Sequence, residues 1–253
     1  MTHAIFIVAP FTGGAFLAAS LMAAAVNAAE IKLISSPAAS SALKEVTPQF
    51  ERATGHKVLL DFANIAALRK RIGAGEAFDI AVVSPKLIEE LLQQGTIAAG
   101  TDYKIGRTGL AVVTRKGGAR PDISSADAFK RALLGAKLVG HSATGESGIG
   151  FLSVLERLGI TNEMKPRIKA AANLTNTVAA GEVDFGVSGI GAAISNPELD
   201  YVGPVPPPVQ DYVNLATGIS AKTTEPQAAR ALLKYLSDPA VVQIMKAKGL
   251  EPY

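Results

Sequence analysis

The chain contains no cysteine, which excludes disulfides, thiolate nucleophiles, zinc-thiolate sites and lipid attachment through a cysteine. Its three histidines, His3, His56 and His141, are too scattered to form a histidine-rich metal cluster. No Lys/Arg-dense block exists. The net charge of +3 is a small excess of 25 basic over 22 acidic residues, so a run of phosphates has nothing to neutralise it and nucleic acid is excluded as a partner. With 48% hydrophobic residues, the chain also lacks the low hydrophobicity and high net charge of disorder.

Charge is missing altogether from residues 1–29; the first charged side chains are Glu30 and Lys32. The apolar run Ala15–Val26 follows Thr12-Gly13-Gly14 and is short for a membrane span. It reads as the apolar part of an export signal, with small residues at Val26-Asn27-Ala28 for cleavage. The expectation is a signal peptide over 1–28, a mature chain from Ala29 or Glu30 in the periplasm, and no stable membrane insertion afterwards. Only the α-amino group and His3 supply positive charge at the start, and an uncleaved anchor stays open as the alternative.

Beyond Glu30, short β-rich runs alternate with helical patterns, the signature of an α/β protein with parallel strands and crossover helices. The patterns predict strands at Ile31–Ile34, Lys57–Leu60, Asp79–Val83, Thr108–Thr114, Lys137–Gly140, Val183–Val187 and Val213–Ala221. They predict helices at Ser40–Arg52, Ala66–Ala74, from Pro85 to Gly95, Ala126–Leu134, from Ser147 to Gly159, Pro226–Leu236 and Ala240–Lys248, with a helical turn at Thr177–Ala180. Ile149, Leu152, Leu155 and Leu158 are read as the apolar face of the helix that begins at Ser147. Pro204, Pro206, Pro207 and Pro208 make a stiff extended segment.

Several stretches in this order resemble the type II periplasmic solute-binding proteins of ABC importers, in the branch that includes the molybdate-binding proteins. They are Ile31–Ser36, Ala74–Ile80, Gly106–Val112 with Ala119–Ile123, Gly145–Ile149 with Leu155–Gly159, Gly181–Gly186 and Ala247–Pro252. The resemblance covers the chain after the export signal. It implies two α/β lobes, each a mostly parallel sheet flanked by helices, joined by two crossover strands, with a ligand held in the cleft between them. Lobe 1 would take residues 29–106 and 207–253, and lobe 2 residues 107–206, with Ile105–Thr108 and Pro206–Pro208 near a hinge. It further implies a small anionic ligand, an ABC permease as partner, a monomer, and no cofactor or metal.

Backbone amides at helix starts suit an anion, because their donors are unpaired and the helix dipole is positive there. Candidate ligand-binding residues are Ser35 and Ser36 after the first strand, Asn64 after the second, Ser142, Thr144 and Ser147 in the loop Ser142–Gly148, and Ser188. Ser142–Gly148 concentrates hydroxyls and glycines at one helix start. Each serine also has the plainer reading of a helix cap or turn. Arg107, where the lobes meet, would clamp a carboxylate bidentately or else form an ion pair.

The chain departs from the molybdate-binding pattern at three places. Ala38 and Ile65 replace serines, and Ser188 stands where tyrosine is common. Fewer hydroxyls and an apolar Ile65 suit a small organic acid better than a tetrahedral oxyanion. The same branch resembles periplasmic aconitate isomerases, so an isomerase acting on an unsaturated tricarboxylate is the alternative to a binder; fold does not decide between them. Proton transfer would need a general acid/base, for which the candidates are His141 and Glu146.

Overall fold

The computed structural model describes Met1 and residues 28–253; the expected export segment falls almost wholly outside the described residues. The elements run β1 (Glu30–Ser35), α1 (Ser40–Thr54), β2 (Lys57–Phe62), α2 (Ile65–Gly73), β3 (Ile80–Val83), α3 (Pro85–Gln93) and β4 (Tyr103–Arg115). They continue with α4 (Ala126–Gly135), β5 (Val139–Ser142), α5 (Glu146–Arg157), α6 (Thr161–Met164), β6 (Ile168–Ala171), α7 (Leu174–Ala179), β7 (Phe185–Gly189) and α8 (Ile190–Ile194). Last come β8 (Leu199–Pro204), β9 (Tyr212–Ile219), α9 (Pro226–Leu236) and α10 (Pro239–Ala247).

The short aliphatic runs Ile31–Ile34 and Ile80–Val83 become strands because they are buried on both faces, as parallel strands between helices must be. In α1 the residues Leu43, Val46, Thr47 and Phe50 recur on one face and are buried; Gly55, with φ 77°, terminates the helix in the left-handed region. Strand order is β2-β1-β3-β9-β4-β7-β5-β6, with β8 paired on β4. The first three strands are mutually parallel, as are β5, β6 and β7, whereas β9 is antiparallel to both β3 and β4.

The 13-residue β4 belongs to both sheets. Its first half, Tyr103–Gly109, pairs with β9, and its second half, Leu110–Arg115, pairs with β7 and β8. Each sheet has its own core. Leu33, Phe50, Leu215 and Leu232 pack together on one, while Leu110, Phe129, Phe151 and Leu155 pack on the other. Further clusters around Ile34, Leu68 and Leu87, and around Val113, Val178 and Val183, show that helices cover the second face of each sheet. The two halves also touch through α8, where a Cβ at Gly191 would lie 2.9 Å from the carbonyl oxygen of Ala38.

The structure corrects several expectations. Strand β4 starts five residues earlier than the apolar run suggests, and the strand expected at Val183–Val187 runs from Phe185 to Gly189. The helical turn near Thr177 is α7, and β6, β8 and α8 have no counterpart in the sequence reading. Helix α5 buries Phe151, Val154 and Leu155 but leaves Ile149 and Leu152 exposed at 69% and 40%. A strict three-residue spacing drifts around a helix of 3.6 residues per turn, so the first two members of that expected face turn to solvent.

Candidate functional site

Strands of open α/β sheets place their ligands beyond their carboxyl ends. Here the carboxyl ends of β1, β2, β5, β6 and β7 all border one cavity of about 240 Å³ between the two sheets. It falls just under the range of about 300–1,000 Å³ common for small-molecule sites, so its occupant is small. Ser36, Pro37 and Ala38 follow β1, and Asn64 and Ile65 open α2. Across from them lie Ser142 with Gly145, Glu146 and Ser147, the run Ala172–Thr175, and Ser188 with Gly189 and Ala192. Thr108 and Val213, facing each other on β4 and β9, also line it.

The polar groups are held by their own elements. Ser36 donates its backbone N–H to Val82 across 3.0 Å, which fixes the loop after β1. Its hydroxyl is buried and has no hydrogen-bond partner among the described residues. Asn64 caps α2, its Oδ1 accepting from Ala67 N–H at 2.9 Å, and the first amides of that helix lack intrahelical acceptors by geometry. Ser142 Oγ accepts from Gly145 N–H at 2.9 Å and retains its own proton for donation. Gly148 lets the first turn of α5 come down onto Ser142, because a Cβ there would lie 2.0 Å from the Ser142 carbonyl oxygen.

Of the residues expected at the site, Ser36, Asn64, Ser142, Ser147, Ser188 and Glu146 line the cavity, and Ser35, Thr144, Arg107 and His141 lie outside its lining. Ser35 is buried and donates its hydroxyl to Ser36 O at 2.9 Å, a loop-bracing role. Thr144 is exposed. Arg107 does not reach the cavity lining as a clamp. Its guanidinium stacks 4.0 Å over the Tyr212 ring, and its Nε is 3.7 Å from Glu251 Oε2. Two backbone hydrogen bonds of 2.7 and 2.8 Å join the same two residues, Arg107 and Glu251, and hold their main chains side by side, while Arg107 Nε is buried with no hydrogen-bond partner among the described residues. His141 is buried against Phe151, with Nδ1 3.0 Å from Ser142 O; burial lowers its pKa and favours the neutral ring.

Sequence reasoning missed Thr108, Asn173 and Thr175. Thr108 is fully buried, and its hydroxyl, like that of Ser36, has no partner among the described residues. A threonine inside an aliphatic strand reads as a β-former, and only the sharing of β4 between two sheets brings it to the cavity. Asn173 caps α7, accepting from Asn176 N–H. Both it and Thr175 follow β6, an element invisible in the pattern.

None of the described lining residues is basic. Partial positive charge is available to the cavity from the amide ends of α2 and α5 and from hydroxyl dipoles. The one acidic group in the lining is Glu146, whose burial pushes its carboxyl above the ordinary carboxylate range. Among the described residues no group of three or more His, Asp or Glu is placed to hold a metal ion, and no helix is long and apolar enough to cross a membrane.

A family model described as bacterial extracellular solute-binding protein matches residues 31–251. An aconitate isomerase from a Pseudomonas species is 29% identical over 250 residues, covering 95% of this chain and 94% of that protein. Molybdate-binding protein ModA of Azotobacter vinelandii is 26% identical over 244 residues, covering 92% and 94%. The solved periplasmic molybdate-binding protein of A. vinelandii superposes with a TM-score of 0.74 at 20% identity, over 87% of this chain and 98% of that one. The fold is that of the type II periplasmic binding proteins.

Proposed function

This chain belongs to the bacterial extracellular solute-binding protein family, and from that premise we propose that it is an exported receptor that captures a small organic acid anion in the cavity between its sheets and delivers it to an ABC-type permease. The observation that carries this reading is the pair of buried hydroxyls, Ser36 Oγ and Thr108 Oγ1, that have no partner among the described residues although both residues line the cavity. A buried polar group without a partner is unfavourable, and an acceptor atom of a bound anion relieves it. The amide ends of α2 and α5 add donors to the same space. Ser142, Ser147, Ser188 and Asn64 complete the proposed binding set.

The apolar part of the lining argues for carbon in the ligand. Ala38, Ile65, Leu174, Ala192 and Val213 have no donor to offer a tetrahedral oxyanion, and desolvating a dianion against them is unfavourable. A short carboxylic acid presents methylene or alkene carbon to these residues and its oxygens to the hydroxyls. Export, with cleavage after Ala28, and transfer to a permease are part of the proposal, and the extracellular solute-binding family supports them.

A second reading, an isomerase on the same scaffold, draws on the identity to the aconitate isomerase and on Glu146 in the cavity wall. It needs Glu146 ionised. Its carboxylate would take a proton from the methylene carbon of an unsaturated tricarboxylate, the double bond would shift, and the carboxyl would return the proton to the distal alkene carbon.

Thermal unfolding of the chain with molybdate, tungstate, sulfate, citrate, cis-aconitate and trans-aconitate tests the first reading, since a ligand bound only by the folded state raises the midpoint. The expected result is a shift with carboxylates. A shift with molybdate or tungstate alone would overturn the organic-acid assignment. Proton NMR of the aconitate samples over hours tests the second reading: the receptor leaves the cis/trans ratio unchanged, and the isomerase moves it.

A further inference from the structure

Glu146 occupies a place where an anion site is expected to avoid a carboxylate. It is the first residue of α5 and lines the cleft cavity with Ser36, Thr108 and Ser147; it also borders an adjoining recess of about 300 Å³ next to Lys86 and Asp211. Burial acts on this carboxyl, with no hydrogen bond or neighbouring charge of the described residues offsetting it, and holds it above the ordinary carboxylate range. Lys86 on α3 is exposed to solvent across the recess, and Tyr212 borders the recess at the start of β9. Asp211 is paired with Arg157 at 2.5 Å. His141, beneath the first turn of α5, is bonded to Ser142 O and kept neutral by burial. The amides of α5 favour the ionised form of Glu146, but an anionic ligand competes for those same amides.

Two negative carboxylates within one small cavity repel, and a shared proton removes the repulsion while forming a short charge-assisted O–H to O⁻ hydrogen bond. We propose that Glu146 holds its ligand as the neutral acid, donating its O–H to a carboxylate oxygen of the ligand, so that each fully ionised ligand taken up brings one proton with it. This rests on the organic-acid reading of the cavity and deepens it. Glu146 then selects for ligands basic enough to share a proton, carboxylates ahead of sulfate, and makes affinity fall as pH rises.

The test is titration calorimetry of trans-aconitate into the protein at about pH 8.5, where an ordinary carboxyl is ionised, in two amine buffers of different ionisation enthalpy. The expected wild-type result is an apparent enthalpy that depends on buffer with the slope of about one proton taken up, and an affinity that falls about tenfold per pH unit above the free-state pKa of Glu146. Glu146→Gln, or Glu146→Ala if the amide variant does not fold, is expected to bind with a slope near zero and no such pH dependence. Tight wild-type binding with zero slope would overturn the inference while leaving the receptor reading intact and Glu146 available as a base. The same slope in wild type and variant would assign the proton to another group and also overturn it. Absence of binding to every carboxylate and oxyanion would overturn the receptor reading and this inference with it.

Discussion

Replacing Thr108 with valine is expected to improve the empty protein and weaken the occupied one. Thr108 is 0% exposed on β4, directly opposite Val213, and its hydroxyl has no partner among the described residues. A buried hydroxyl left unpaired costs about 1–3 kcal/mol, and valine keeps the shape of the side chain without it. Taking the lower end, the empty variant gains about 1 kcal/mol, or about 2–4 °C in a chain of this size. With an anion bound, a hydroxyl donating to a charged oxygen contributes about 1.5–3 kcal/mol. Its loss raises Kd roughly 10–150-fold.

The two effects have opposite signs and are read in one experiment. At a ligand concentration about 100 times the wild-type Kd, binding stabilises wild type by about 2.7 kcal/mol; a 30-fold weaker variant gains only about 0.9 kcal/mol at that concentration. Urea unfolding of both proteins with and without the carboxylate found to bind measures all four values. An empty variant less stable than wild type, together with an unchanged ligand increment, would refute the reasoning and make the Thr108 hydroxyl a structural group.

Three other outcomes are expected. Gly148→Ala brings a Cβ to 2.0 Å from the Ser142 carbonyl oxygen, a backbone atom that cannot turn aside, so the first turn of α5 must lift from the cavity; calorimetry is expected to show at least about a tenfold loss of affinity in a protein whose circular dichroism is unchanged. Arg107→Ala removes the contacts with Tyr212 and Glu251 but nothing from the lining, so ligand affinity stays within about twofold of wild type while the unfolding midpoint drops; a tenfold loss of affinity would return Arg107 to the site. Glu76, bonded to Arg71 and Lys32, has its pKa lowered from 4.5 to about 2. A lowered folded-state pKa gives stability that is complete above the unfolded value and is lost as pH falls from about 4.5 towards 2, so acid unfolding of Arg71→Gln followed by far-UV circular dichroism is expected to show a shallower loss over that interval than wild type.

How much of this was legible in the sequence depended on whether a feature was local. The strands at Ile31 and Ile80 and the helix that follows Asn64 announce themselves in a few residues, because aliphatic runs and caps are short-range physics. Strand β6, Ile168–Ala171, does not, since Ile168 is its one β-branched residue and pairing with β5 alone makes it a strand. The five-residue α8 is equally silent, its conformation being held by packing of Ile190 and Gly191 against Gly249 and Ala38 from the other sheet. Ser36, Asn64, Ser142 and Ser147 were legible as candidates because they sit in or beside the connections that lead from β1, β2 and β5 into helices. Thr108 was not, because its value comes from where a 13-residue strand crosses between sheets. Arg107 lies outside the lining for the complementary reason: an arginine near a cleft says nothing of the Glu251 and Tyr212 beside it.

Among the described lining residues partial charges stand in place of a basic side chain, and the proposed ligand class follows from that. Each helix end supplies about half a positive charge, so α2 and α5 together offset roughly one negative charge. In the proposed receptor, one ligand carboxylate is matched by them and by the hydroxyls of Ser36 and Thr108. A second carboxylate has no counter-charge among the described lining residues, and the proposed proton on Glu146 answers it. A third would have to remain at the mouth, in water. On the organic-acid reading proposed above, a compact dianion such as molybdate divides its charge less well, because all its oxygens fall within one shell and Ala38, Ile65 and Val213 offer that shell no donors. Affinity should therefore rise from one to two carboxylates on a short carbon chain and level off at three, whereas an arginine clamp would have produced the same gain with each added charge. A series of mono-, di- and tricarboxylates measured at one pH separates the two patterns.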